Sequence, residues 1–195
     1  ALIVYDRVRS AKPSFKKTWL LHAPVQPSLE AGGFTVTGAW GGRLDASVLL
    51  PKAGEARLET VGGEGREFWV DGKNFPQFPS KGKPAGFENT GWRVELSAVA
   101  EQSEERFLVA MQVQGDTPSA NALHVSPLSG EGWTGLSIAN RWVLVPSGYD
   151  ELEAVRFQVS VKAAHCVVTG AAPGTWRVRH GGGAAEVVVT EAGRT

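Results

Sequence analysis

The sequence predicts an all-β protein built as an antiparallel β-sandwich, and three observations lead there. Val, Thr, Trp and Phe recur in short runs, and such side chains suit the pleated, half-buried surface of a strand. Glycine occurs 24 times and punctuates those runs, with turn residues returning every 8 to 12 residues or so, the spacing of a sandwich. No window of roughly 11 or more residues carries its apolar residues at helical spacing.

The elements follow in order. "LIVYDRV" (2–8) alternates Ile3, Tyr5 and Arg7 with Leu2, Val4, Asp6 and Val8. "FKKTWLLHA" (15–23) puts Phe15, Lys17, Trp19, Leu21 and Ala23 on one face and Lys16, Thr18, Leu20 and His22 on the other, because side chains alternate along a strand. "GFTVTG" is a brief strand. "GGRLDASVLLP" sets Leu44, Ala46, Val48 and Leu50 in register and is stopped by Pro51. "ARLETVG" and "REFWVDG" are expected to form a hairpin through the "GEG" link, and Asp71–Gly72 is a second turn signal. "NFPQFPSKGKPAG" (74–86) is a Pro/Gly loop. "GWRVELSAVA" and "ERFLVAMQVQG" alternate cleanly. The polar stretch "GDTPSANALHVSPLSGEG" separates this part from the rest. "WTGLSIANRWVLVP" is two strands turning at Ala139–Asn140, and "AVRFQVSV", "AHCVVTG", "GTWRVRH" and "AAEVVVT" complete the set.

The 195 residues suit one sandwich, expected over 1–195 with a weak boundary near 114–130, since neither half alone caps its sheet edges. Lys plus Arg equals Asp plus Glu at 20 each, which argues against nucleic acid as a partner. No apolar run reaches the roughly 18 residues of a membrane helix. The opening "ALIVYDRVRS" lacks the basic segment of a signal peptide and reads as an excised or mature start. The single cysteine rules out an internal disulfide and argues against a cysteine-based zinc site.

The chemical motifs are sparse. His22, His124, His165 and His180 show no metal-ligand spacing, so neither a metal nor another cofactor is expected. There is no GxSxG, and adjacent His165 and Cys166 face opposite ways in a strand, so they form no nucleophilic pair. Glu64 and Glu67, Glu104 and Glu105, and Asp150, Glu151 and Glu153 are carboxylate clusters in or beside loops and read as solvated turn residues. The Gly-rich "GGEGRE" and "HGGGAAE" lead into strands, not into a helix N-terminus that would hold phosphate. Among seven tryptophans, Trp19, Trp69, Trp92 and Trp176 are expected in the core. Trp40, in the Gly-flanked "TGAWGG", is the exposed candidate, a flat platform for a sugar ring. Arg43, Arg66, Arg93, Lys81 and Lys83 could meet a polyanion, although a neutral chain creates no strong steering field. His22 and Arg93 join Trp40 as the candidate substrate-binding residues.

Taken in order, "VYDRVRSAKPSFKKTWLLHAP", "GGRLDASVLLP", "REFWVDGKNFP", "GWRVELSA" and "ERFLVAMQV" resemble the C-terminal β-sheet region of heparinase II/III-like polysaccharide lyases. The likeness is greatest over residues 2–113 and returns at "VTGAAPGTWRVR", which resembles the terminal hairpin. The resemblance implies a β-sandwich packed on an N-terminal helical toroid of the same protein. It also implies β-elimination on an acidic polysaccharide: a group neutralises the uronate carboxylate, a base removes the C5 proton and an acid protonates the leaving oxygen. The family's catalytic Tyr and His, with their Asn and Arg helpers, come mainly from the toroid and from a His-rich segment ahead of the "YDRV"-like strand. No catalytic residue is therefore carried onto this chain, which is expected to be inactive alone. The expected location is secreted or periplasmic. A non-catalytic carbohydrate-binding module is the alternative, and a structural or adhesion-type sandwich is a third reading.

Overall fold

A computed structural model describes residues 1–75, 91–115, 122–158, 165–180 and 182–190. The proline-rich stretch from residue 76 onward, with Lys81 and Lys83, lies outside the described residues, as do residues 159–161 of "AVRFQVSV". Every regular element among the described residues is a strand, so the all-β expectation holds. The chain divides into two compact units, Ala1–Ala122 and Leu123–Thr195. That division falls inside the 114–130 stretch where composition already turns polar.

The first unit is a two-layer sandwich. One layer holds β1 (Leu2–Arg9), β10 (Glu104–Gln114), β5 (Arg43–Leu50), β4 (Gly33–Thr37) and β3 (Ser28–Glu30), in that order. The other holds β2 (Trp19–Ala23), β9 (Trp92–Ala98) and β6 (Ala56–Gly62). All these pairings are antiparallel. Alternation selects what each strand buries. Ala23, Val94 and Leu96 from the smaller sheet meet Phe34, Val36, Ala46, Phe107, Val109 and Met111 from the larger, with Val4, Trp19, Leu21, Leu58 and Trp92 packed around them. Trp19 and Phe34 bridge the layers with ring centroids 6.4 Å apart.

The "GEG" hairpin does not form. β6 pairs with β9, and "REFWVDG" yields only the short β7 (Trp69–Val70), paired with β8 (Lys73–Asn74). Three glycines in four residues take the chain away before it can reverse onto β6. The Asp71–Gly72 turn does form: both residues have positive φ, 46° and 82°, which suits the right-handed twist of a two-residue hairpin.

The second unit has a four-stranded sheet in the order β11 (Val125–Gly130), β12 (Trp133–Ile138), β13 (Arg141–Pro146), β14 (His165–Val168), and a separate hairpin of β15 (Gly174–His180) and β16 (Gly183–Val189). β11 lies within the stretch read from sequence as a polar separator. It tolerates Pro127 because it is an edge strand, where a missing N–H breaks no ladder. β12 and β13 turn at Ala139–Asn140 as expected, with Ala139 at φ 51°. β13 and β14 pair in parallel, against the expected antiparallel order. A parallel pair needs a crossover connection, and the crossover is held to the unit by Leu152. Leu152 N–H donates to the Gly170 carbonyl at 2.7 Å, and the Leu152 carbonyl accepts from Ala172 N–H at 2.9 Å. Residues 154–158 are accordingly not strand. Leu152 completes a core with Trp133 and Leu144, flanked by Leu128, Val155 and Trp176.

The buried tryptophans are Trp133 and Trp142. Trp19, Trp92 and Trp176, expected in the core, are partly buried and packed against it. Trp69 corrects the expectation: it sits in the short β7 ribbon with the Arg66 guanidinium 5.0 Å above its ring.

Candidate functional site

The three candidate contacts fall on two surfaces of the first unit. β2 turns Trp19, Leu21 and Ala23 to the core, so His22 projects outward and is exposed. The register places Arg93 directly opposite His22, and Val61 opposite Arg93 on the far side. Cross-strand partners have Cβ atoms about 4.5–5.5 Å apart, so His22 and Arg93 are side-by-side neighbours although 71 positions separate them in sequence.

Arg93 is held rather than free. Its Nε donates to Glu95 Oε1 at 2.8 Å, and its Nη2 donates to the Trp69 carbonyl. Its side chain is 12% exposed and that of Glu95 14%. Lys16 Nζ reaches the other Glu95 oxygen at 3.5 Å. Beside them, Arg57 pairs with Glu59 at 2.7 Å. This outer face is therefore a set of in-strand ion pairs with His22 at its β2 edge. Replacing Arg93 with alanine leaves the largely desolvated Glu95 with only a long contact to Lys16, and strips the Trp69 carbonyl of a donor. The expected loss is about 2 kcal/mol in urea unfolding. A change below about 0.5 kcal/mol would show that the pair is merely a surface ornament.

Trp40 lies elsewhere, at the tip joining β4 to β5 in the larger sheet. The tip is closed by Gly38 N–H to the Gly42 carbonyl at 2.7 Å and Gly41 N–H to the Gly38 carbonyl at 3.1 Å. Gly41 takes φ 80°, a conformation costly for any residue with a Cβ. Trp40 is 93% exposed. Aromatic side chains bury roughly 150–250 Å² at about 25 cal/mol per Å², so leaving this one in water forgoes on the order of 4 kcal/mol.

A cleft of about 310 Å³ opens near the β9–β10 connection, lined by Phe15, Lys16, Arg57, Ser97, Gln102 and Glu105 among others. None of the three candidate residues lines it. Glu105 is buried there and accepts hydrogen bonds from Gln102 Nε2 at 2.6 Å and Arg106 N–H at 2.9 Å. Sequence reading placed this carboxylate in a solvated pair with Glu104. The signal it missed is parity: Glu105 shares the inward face of β10 with Phe107 and Val109.

Two other groups considered from sequence, Glu67 and Cys166, are shifted away from catalytic use. Glu67 accepts from Gly65 N–H at 3.0 Å and Asn74 Nδ2 at 3.2 Å. Backbone N–H groups, its own first and then that of Gly65, hold its carboxyl below the usual range. A general acid needs the opposite shift. Cys166 is at the surface of β14, and partial burial pushes its thiol up, away from the thiolate a nucleophile requires. Among the described residues, no group of three or more His, Cys, Asp or Glu is placed to hold a metal ion, and no helix is long and apolar enough to cross a membrane.

The first unit is thus a two-layer sandwich with an aromatic tip and a charged outer face, and the second is a smaller all-β module. Residues 127–195 match the family model of the heparinase II C-terminal domain. The match lies within the second unit and includes "VTGAAPGTWRVR", and it supports the resemblance to the C-terminal region of heparinase II/III-like lyases. Residues 2–113, where the sequence was expected to resemble the family most, fall outside the matched range. A search of curated proteins finds no match to the chain. A C-terminal domain implies a companion domain N-terminal to it in heparinases.

Proposed function

We propose that this chain is the C-terminal β region of a polysaccharide lyase that cleaves uronic-acid-containing polysaccharide by β-elimination. It packs on an N-terminal helical toroid and acts outside the cytoplasm. The carrying observation is the match of residues 127–195 to the heparinase II C-terminal domain. The chain's contribution is to hold substrate, not to move its protons. His22, with the Arg93–Glu95 pair fixed beside it, offers hydrogen bonds on one surface, and Trp40 offers a stacking face on another.

The test is product release, followed by ultraviolet absorbance of the unsaturated uronate. Heparin, heparan sulfate and alginate incubated with this chain alone are expected to give no signal. The parent protein, toroid included, is expected to give one on at least one of them. Activity from the isolated chain would place catalytic groups here and overturn the assignment of chemistry to the toroid. A parent protein that binds these polymers but never cleaves them would favour the carbohydrate-binding module, the reading that the exposure of Trp40 supports.

A further inference from the structure

We infer that the β4–β5 tip is a self-contained glycan subsite, in which Trp40 stacks on the C–H face of a pyranose ring while Arg43 and Gln114, locked in place by Asp45, donate hydrogen bonds to the oxygens of that sugar. The inference rests on the reading of Trp40 as a polysaccharide contact. It adds the residues that read the sugar and the physical character of the contact.

The register builds the subsite. Thr37, Arg43 and Gln114 form one cross-strand row at the end of the sheet, next to the tip, and Thr35 and Asp45 lie in the next row on the same face. Asp45 organises them. Its Oδ1 accepts from Arg43 Nε at 2.8 Å and from Thr35 Oγ1 at 3.3 Å, and its Oδ2 accepts from Gln114 Nε2 at 2.8 Å. Both oxygens are therefore occupied, and the side chain is only 13% exposed, while Arg43 beside it is 49% exposed. A guanidinium carries five N–H donors. Nε and Nη2 engage Asp45, and the Nη1 donors are not spent there. Such preorganisation is what a weak, hydroxyl-reading site needs, because little side-chain freedom remains to be lost on binding.

The surroundings favour a sugar over a protein partner. A protein hot spot sets its tryptophan in an apolar, water-excluding centre. The neighbours of Trp40 along the chain are instead Thr37, Gly38, Ala39, Gly41, Gly42 and Arg43, in which the exposed Ala39 methyl is the one apolar side chain. Val113, exposed beside Gln114, belongs to the opposite face of β10 by alternation. Charge also separates this subsite from a polyanion patch. Arg43 and Asp45 neutralise one another, so stacking and neutral hydrogen bonds dominate, and no cluster of counterions is released on binding.

The test is titration calorimetry of the full chain with hexasaccharides from cellulose, alginate and heparin at low and high sodium chloride. At least one hexasaccharide is expected to bind, with an affinity that changes less than about twofold between the two salts. Trp40→Ala is expected to weaken binding by about tenfold or more, and Arg43→Ala with Gln114→Ala together by about threefold to tenfold. Trp40 is so exposed that its replacement should leave the thermal midpoint unchanged, which separates a lost contact from a lost fold. Product release by the parent protein does not enter this readout, so the lyase assignment can fail while the subsite stands, and the reverse. No binding of any hexasaccharide would overturn the subsite. So would unchanged affinity in Trp40→Ala, or binding that collapses about tenfold with salt. A Trp40-dependent complex with the N-terminal part of the same protein, without glycan binding, would put a protein surface on the tip and overturn it too.

Discussion

Replacing Phe107 with alanine is expected to destabilise the first unit by about 4 kcal/mol, the middle of the range for an aromatic removed from a packed core. Phe107 is 1% exposed and stands in β10, paired with Asp6 of β1. β10 is bonded on both sides, to β1 and to β5. Its neighbours in the core come from both sheets. Those backbones are fixed by ladders, so they cannot collapse into the space left, and the cavity persists. Urea unfolding should show the loss as a lower midpoint at an unchanged slope. Hydrogen exchange should show it as faster exchange of the β9 and β10 amides. A loss below about 2 kcal/mol would mean that the sheets close over the gap, and that the two-layer packing is softer than the burial indicates.

The second large effect is expected at Gly135, in the middle of β12. A Cβ built there would overlap the backbone carbonyl of Val143 and crowd Leu144 Cα at 3.1 Å. Both belong to the neighbouring strand β13. A flexible side chain could swing aside, but a carbonyl inside a ladder cannot move without lengthening its hydrogen bonds. Gly135→Ala is expected to cost about 3 kcal/mol, at the top of the range for overpacking. Gly132 is the control. It has φ 75° with nothing within 4 Å of a built Cβ, so Gly132→Ala meets only the left-handed backbone penalty of about 1 kcal/mol. Equal losses in the two variants would refute the steric explanation and leave backbone conformation as the common cause.

How legible these features were in the sequence depends on the range of the physics behind them. His22 is a short-range case. Strand alternation has a period of two, so once Trp19 and Leu21 are placed inward, His22 must point out, and it does. The Trp40 tip is short-range as well, since glycines on both sides mark a turn and an indole there has no strand to pack under. The same period would have placed Glu105 inward beside Phe107, had it been carried one residue beyond the apolar run.

Other features depend on partners distant in the chain. Arg93 reads as an ordinary surface cation until β7 delivers the Trp69 carbonyl to its Nη2 and β9 delivers Glu95 to its Nε. The "GEG" link has the composition of a hairpin turn, yet β9 outcompetes β7 as the partner of β6, because seven residue pairs outweigh a two-residue ribbon. Trp69 lost its expected core position for the same reason. Trp133 and Trp142 gained theirs from strand pairing and from a crossover that brings Leu152 over the sheet.

The sequence by itself determined the all-β class, the inward and outward faces of the longer strands, the turns at Asp71–Gly72 and Ala139–Asn140, and the exposure of Trp40. All of these follow from the local geometry of the pleated chain and from the φ values glycine permits. Only the tertiary structure decided which strands became neighbours. It therefore decided that His22 and Arg93 share one surface while Arg43, Asp45 and Gln114 share another beside the Trp40 tip, because strand partners are chosen by the burial and hydrogen bonding of whole sheets.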